Sequence, residues 1–215
     1  MPKITKISEQ KRRPNRRNVY LDGAFAFGCN VNVVAKFRLR EGLELSAEQI
    51  ANIQSGEIKQ EAFDYALKVL QRRLHSRSEL QRKLAKREYA AGTIEEVLND
   101  LERLGYVDDA RFAKTKAQSA AEYKHHGQRR AMIELRKAGV TDATARKAVE
   151  DVYDPRDNLA TARMLAQKQG PRLKKLEPQV ARRRLAGMLL RRGFDYETIR
   201  PVIDEVIGYG QNEGT

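Results

Sequence analysis

From about residue 60 onward, the hydrophobic positions recur in three diverged copies. Take Leu84, Leu135 and Leu189, 51 and 54 residues apart, as common reference points. Five positions later stand Tyr89, Val140 and Phe194, and ten later Ile94, Ala145 and Ile199. Thirteen, fourteen and seventeen later come Val97, Leu98 and Leu101; Ala148, Val149 and Val152; and Val202, Ile203 and Val206. The last four positions of each copy have the 0, 3, 4, 7 spacing of one helix face. Leu80, Ala131 and Leu185, four before the reference, give a preceding helix its own apolar side. A further helix is predicted before each of these, over 62–74, 110–123 and 159–168. Each unit is therefore helix–helix–helix, and self-similarity at a period of about fifty residues marks a tandem array.

Local signals place the boundaries. Ser76 with Glu79, and Thr93 with Glu96, have capping-box spacing ahead of the second and third helices of the first copy. Asp108-Asp109 opens the second unit and Asp154-Pro155 the third, with an acid accepting from the exposed N–H groups of the first turn. Gly139 and Gly193 fall where a left-handed residue ends a helix, whereas the first copy has Glu88 there.

The first sixty residues differ in texture. Val19-Tyr20-Leu21 and Phe25-Ala26-Phe27 flank Asp22-Gly23, a two-residue hairpin signal. Residues 4–8 form a further candidate strand, separated from the hairpin by the basic run 11–17. A short helix with Val33, Val34 and Phe37 on one side is expected to run to Gly42, and Ser46 with Gln49 caps another. The fold expected is mainly all-α: three tandem three-helix repeats (59–107, 108–153, 154–215), preceded by a small β-hairpin/α module over 1–58.

Charge narrows the class of partner. Forty-two Lys and Arg against 29 Asp and Glu leave a net charge of +13, which favours a polyanion because neutralised phosphates release counterions. The charges also separate by helix. Twenty bases and four acids fall in the windows around the second helices, and twelve acids and four bases around the third. The candidate contacts are Arg72, Arg73, Arg77, Arg82, Lys83, Lys86 and Arg87 in the first unit, and Lys124, Arg129, Arg130, Arg136 and Lys137 in the second. In the third they are Arg172, Lys174, Lys175, Arg182, Arg183, Arg184, Arg191 and Arg192. One such cluster is ordinarily a solvated face; three at equivalent places argue for an anionic partner.

Other chemistries find little support. No phosphate-binding loop, nucleophile elbow or metalloprotease helix motif occurs. His75, His125, His126 and the single Cys29 do not make a zinc set, and the adjacent His125 and His126 would point to different faces of a helix. No catalytic residue, metal or cofactor is expected. Trp is absent and aromatics are 7% of the chain, a thin supply for base stacking. The N-terminal segment MPKITKISEQKRRPNRR has no apolar core of a signal peptide, so a cytoplasmic protein without a membrane partner is expected. Nothing suggests a dimer seam, so a monomer is expected.

Several stretches carry a family resemblance: SRSELQRKL at 76–84, LGYVDDARFAK at 104–114, MLLRRGFDYETIRPVI at 188–203, and NVYLDGAFAFG at 18–28. Collinear along the chain, they resemble the RecX family, regulators of the RecA recombinase, across nearly the whole of it. The resemblance implies an elongated, curved array of three-helix repeats that binds in the groove of RecA–DNA filaments. It further implies inhibition of strand exchange, ATP hydrolysis and co-protease activity, in the setting of recombinational DNA repair and the SOS response. It carries over no catalytic residue. The alternatives are a stand-alone, non-specific binder of single- or double-stranded DNA, and a helical scaffold with protein partners only.

Overall fold

The structure is a computed structural model, described here over residues 1–173 and 175–208. It divides into two compact bodies: residues 1–74 with 80–107, and residues 75–79 with 108 onward.

In the first body, β1 (Ile4–Gln10), β2 (Arg13–Leu21) and β3 (Ala24–Asn30) form an antiparallel sheet in that order. The turn between β2 and β3 is Asp22-Gly23, with φ of 51° and 86°, the positive pair a two-residue hairpin demands. The basic run 11–17 does not separate β1 from the hairpin as expected. Lys11 and Arg12 make the turn and the rest starts β2, because Gln10 already pairs with Arg13.

Helix α1 (Val31–Lys36) is also shorter than expected. It closes at Phe37, followed by Arg38 at φ 50°, while Gly42 belongs to a later turn. Ile4, Val19, Cys29, Val33, Leu39, Leu45 and Ile53 form the core of this module.

Helix α2 (Ala47–Leu70) opens with the Ser46–Gln49 capping box and continues for 24 residues. The expected boundary at residue 58 falls inside it. The predicted helix over 62–74 is its second half, ending four residues early. Its first half packs under the sheet: Asn30 N–H donates to Glu57 Oε2 at 2.6 Å, and Arg16 Nη1 lies 3.0 Å from Glu57 Oε1. Its second half joins α3 (Arg77–Ala85) and α4 (Ala91–Arg103) around the ladder residues Leu80, Leu84, Ile94, Val97, Leu98 and Leu101. Thr93 is not a cap. Helix α4 begins two residues earlier, after Ala90, without a side-chain cap.

In the second body, α5 (Asp109–Glu122), α6 (Gln128–Lys137) and α7 (Asp142–Glu150) form one three-helix unit. Helices α8 (Pro155–Leu173), α9 (Pro178–Arg192) and α10 (Tyr196–Ile207) form the next. In α10 the ladder residues Ile199, Val202 and Ile203 are buried at 7% exposure or less, and Val206 is half-buried against them. In the middle unit it ends early, because α7 stops at Glu150 and Val152 lies outside it, half-buried. Tyr153 takes the last core place, and its hydroxyl donates to the His126 carbonyl at 3.0 Å.

The second body repeats one junction. The Ser76 hydroxyl donates to the Ala138 carbonyl at 2.6 Å and accepts from the Glu79 N–H at 3.1 Å. One unit later, the Gly127 N–H donates to the Arg192 carbonyl at 2.9 Å, and the Arg129 N–H to the Gly193 carbonyl at 3.1 Å. Ser76 and Gly127 both stand eight positions before their reference leucines; Ala138 and Arg192 stand three after theirs. The start of one second helix thus docks on the left-handed end of the next. Asp109, read from sequence as part of a cap for its own helix, accepts from the Arg77 N–H at 2.8 Å, while Asp108 caps α5.

Candidate polyanion interface

The predicted contact residues divide into cations engaged within the fold and cations that face solvent. In the first unit, Arg72 and Arg73 follow α2 and are exposed, Arg77 begins α3 half-buried, and Arg82 and Lys83 lie in its last turn. Lys86 and Arg87 follow that helix, exposed, with the Arg87 guanidinium 4.4 Å from the Tyr65 ring centroid. Stacking of this kind leaves the guanidinium edge accessible to an anion.

In the second unit, Arg129, Arg130, Arg136 and Lys137 are exposed along α6. Arg136 forms two hydrogen bonds with Asp142, at 2.8 and 3.2 Å, which hold the Asp142 carboxyl below its usual range. Lys124 precedes α6, its Nζ 3.0 Å from Glu134 Oε2. Glu134 also lies 3.1 Å from His126 Nδ1 and 3.7 Å from Arg130 Nε. Burial opposes ionisation of Glu134, but the Lys124 hydrogen bond and the surrounding cations together hold its carboxyl below the usual range. Burial pushes His126 the other way, below the ordinary imidazole value. His125 and His126 lie in the α5–α6 connection rather than on a helix, and His125 has φ 51°.

In the third unit, Arg172 ends α8 and Lys175 follows it, both exposed; Lys174 lies outside the described residues. The densest predicted point, Arg182-Arg183-Arg184, splits. Arg182 pairs with Asp204 of α10 and donates to the Gly208 carbonyl at 2.6 Å. Arg183 and Arg184 are exposed and have no hydrogen bond or ion pair among the described residues. Arg191 is likewise exposed, and Arg192 is half-buried with Nη1 donating to the Lys124 carbonyl at 2.8 Å.

Third-helix acids hold two of the predicted contacts, Arg136 through Asp142 and Arg182 through Asp204, and they hold other cations as well. Lys59 of α2 lies 3.0 Å from Glu96 and 2.9 Å from Asp100 of α4, and Arg163 of α8 lies 2.8 Å from Glu205 of α10. Asp100 and Glu205 are equivalent, sixteen positions after Leu84 and Leu189. Third-helix acids therefore hold cations of the first helix as well as the second, a pairing the windowed charge counts do not contain. Among the described residues no group of three or more His, Cys, Asp or Glu is placed to hold a metal ion, and no helix is long and apolar enough to cross a membrane.

Four family models match the chain in order. The regulatory protein RecX N-terminal domain covers residues 2–46, and the first, second and third three-helix domains of RecX cover 62–101, 108–149 and 156–203. The regulatory protein RecX of Bacillus subtilis is 32% identical over 215 residues, 100% of this chain and 81% of that protein. The chain belongs to the RecX family. The regulatory protein RecX of Clostridioides difficile is 28% identical, with 97% of both chains covered. A crystal structure of regulatory protein RecX is similar with a TM-score of 0.83 and 26% identity, over 95% of this chain and 100% of that one. The structure of RecX from Lactobacillus salivarius has a TM-score of 0.65 at 23% identity over 70% of this chain, a likeness of fold. The array of three-helix units behind an N-terminal sheet is thus the family's architecture, and its members are named as regulators.

Proposed function

We propose that this chain is a non-enzymatic regulator that binds RecA–DNA filaments and mostly restrains them, lowering ATP hydrolysis, strand exchange and co-protease activity. Family membership supports the choice of partner. The observation that carries the anionic contact is the set of exposed, unengaged cations at the second-helix level, with Arg129 in the second unit and Arg183, Arg184 and Arg191 in the third. A helical polymer offers the same surface at regular intervals. Tandem units that each bind weakly gain by effective concentration when the partner repeats too. The chain acts as a monomer inside the cell, without a cofactor, in this reading.

The test is ATP hydrolysis by RecA on single-stranded DNA, titrated with the protein. Falling turnover as the protein approaches stoichiometry with RecA is expected. Unchanged turnover at that point overturns the proposal. The second reading, a stand-alone DNA binder, draws on the same exposed arginines, and equal affinity for naked DNA and for the filament is its signature.

A further inference from the structure

A separate concentration of exposed cations lies at the β1–β2 turn, at one end of the N-terminal sheet. Strand register puts Lys6, Tyr20 and Phe25 in one cross-strand row, and Ser8, Asn18 and Gly28 in another two residues along. The row between, Ile7, Val19 and Phe27, belongs to the core, where Val19 is fully buried. A register shift between Val19 and Tyr20 turns Phe25 outward. In a regular strand, Phe25 and Phe27 would share a face.

Phe25 is 60% exposed, and its ring meets the half-buried Tyr20 edge-on, with centroids 5.9 Å apart and planes at 78°. Lys6 Nζ stands 5.9 Å from the Tyr20 centroid. Beside them Gln10 Nε2 donates to Asn18 Oδ1 at 2.8 Å across Gly28, where a Cβ would crowd the Gln10 amide. At the far end, the side chains of Lys11, Arg12 and Arg13 are exposed, with no hydrogen bond or ion pair among the described residues. The acids of the sheet are engaged elsewhere: Glu9 holds Arg17 at 2.7 Å, and Asp22 accepts from the Lys3 N–H at 3.0 Å. From Tyr20 to Arg13 the strand spans roughly 20 Å, room for several phosphates.

We propose that this face binds single-stranded nucleic acid, with a base stacked on Phe25 beside Tyr20 and the backbone tracking from Lys6 toward the basic turn. An exposed ring backed by a half-buried one, with unengaged cations at the turn, suits a strand whose bases are unstacked, since each base has a π-face for the ring and each phosphate a charge for the turn. A duplex hides the faces of its bases from such a ring. Composition alone undercounts this site, because few aromatics in the whole chain are needed when two share one exposed face.

The chain has no Trp, so Phe25→Trp makes a single reporter on the proposed stacking ring. The full-length variant is titrated with a short oligo(dT) at low salt, and binding is followed in parallel by anisotropy of a labelled strand. Tryptophan emission is expected to fall as oligo(dT) binds, whereas an abasic oligomer of equal length binds without quenching. In the same background, Lys11→Ala with Arg12→Ala and Arg13→Ala is expected to weaken the quenching titration. Its log–log salt slope is expected to fall by about 0.7 for each phosphate no longer neutralised. Unchanged emission with oligo(dT) bound, equal quenching by the abasic strand, or an unshifted titration in the triple variant overturns the proposal; so does absence of binding. No recombinase is present in this assay, so its failure and that of the filament reading are separate results.

Discussion

Gly193 lies against Arg130 so closely that a Cβ on the glycine would overlap the Arg130 backbone nitrogen and Cβ. Gly139 stands in the same relation to Ser78, whose Cβ and hydroxyl occupy the space a side chain would need. Glu88, the equivalent residue of the first unit, shares their left-handed backbone, with φ 63° against 81° and 91°, yet carries a full, exposed side chain. Glycine at these positions therefore answers to the docking of a neighbouring segment as much as to backbone conformation.

Gly193→Ala is accordingly expected to cost about 2–4 kcal/mol, combining the left-handed penalty with an overlap that backbone must yield to. Glu88→Gly relieves the backbone penalty alone and is expected to gain about 0.5–1 kcal/mol, after the entropy glycine adds to the unfolded chain. Urea unfolding of the two variants reads both signs. A neutral Gly193→Ala or a destabilised Glu88→Gly contradicts this assignment.

The three consecutive arginines of α9 are expected to separate by assay. Arg183→Ala with Arg184→Ala should lower the log–log salt slope of DNA or filament binding by about 0.7–0.9 per phosphate no longer neutralised, at unchanged thermal stability. Arg182→Ala should leave that slope unchanged and cost about 1–3 kcal/mol, because Asp204 is deprived of its partner in a half-buried setting. Salt-dependent anisotropy and thermal unfolding of the same variants decide the matter.

The middle unit is expected to weaken in mild acid. Burial holds the folded His126 below its ordinary value of 6.5, so the unfolded chain binds a proton first as pH falls. Stability from this source is whole above pH 6.5 and is lost as pH descends toward the folded value. Glu134, also depressed, adds a loss in the same direction below 4.5. Unfolding free energies measured between pH 7.5 and 5 should decline in the wild type and decline less in His126→Gln; parallel curves would remove His126 from the explanation.

Cys29 is fully buried, and desolvation foremost, with the nearby Glu57 carboxylate, pushes its thiol up to about 11. A thiolate is the reactive form, so the native protein is expected to resist thiol reagents at neutral pH. Labelling should proceed only as fast as the N-terminal module opens and should accelerate in denaturant. Rapid stoichiometric labelling of the folded chain would contradict the packing around Cys29.

The sequence carried the repeat because burial follows periodicity: Leu84, Leu135 and Leu189 are each fully buried, as their common register requires. Asp22-Gly23 and Ser46-Gln49 were legible for a similar reason, since their chemistry acts over two to three residues. Thr93 misled because Ala90 starts the helix with no side-chain cap, and capping spacing inside a helix has no meaning of its own. The extent of α2 was hidden because nothing at residue 58 stops a helix. Of the candidate site, the residue types were legible but their engagement was not. That Arg182 is held while Arg183 and Arg184 are not depends on which face of α9 meets Asp204, a fact of packing rather than of local sequence.

The docking positions also set the third unit apart from the other two. In the third unit the place held by Ser76 and Gly127 falls on Ala181, inside α9, where its N–H is already bonded to the Glu177 carbonyl at 2.9 Å. The helix starts earlier, at Pro178, which has no N–H to donate. The third unit can receive a neighbour but has nothing at that place to offer a fourth. An extra turn of helix headed by a proline thus fills the place where the two earlier units carry their docking group, so the three repeats are equivalent in their cores but not at this junction.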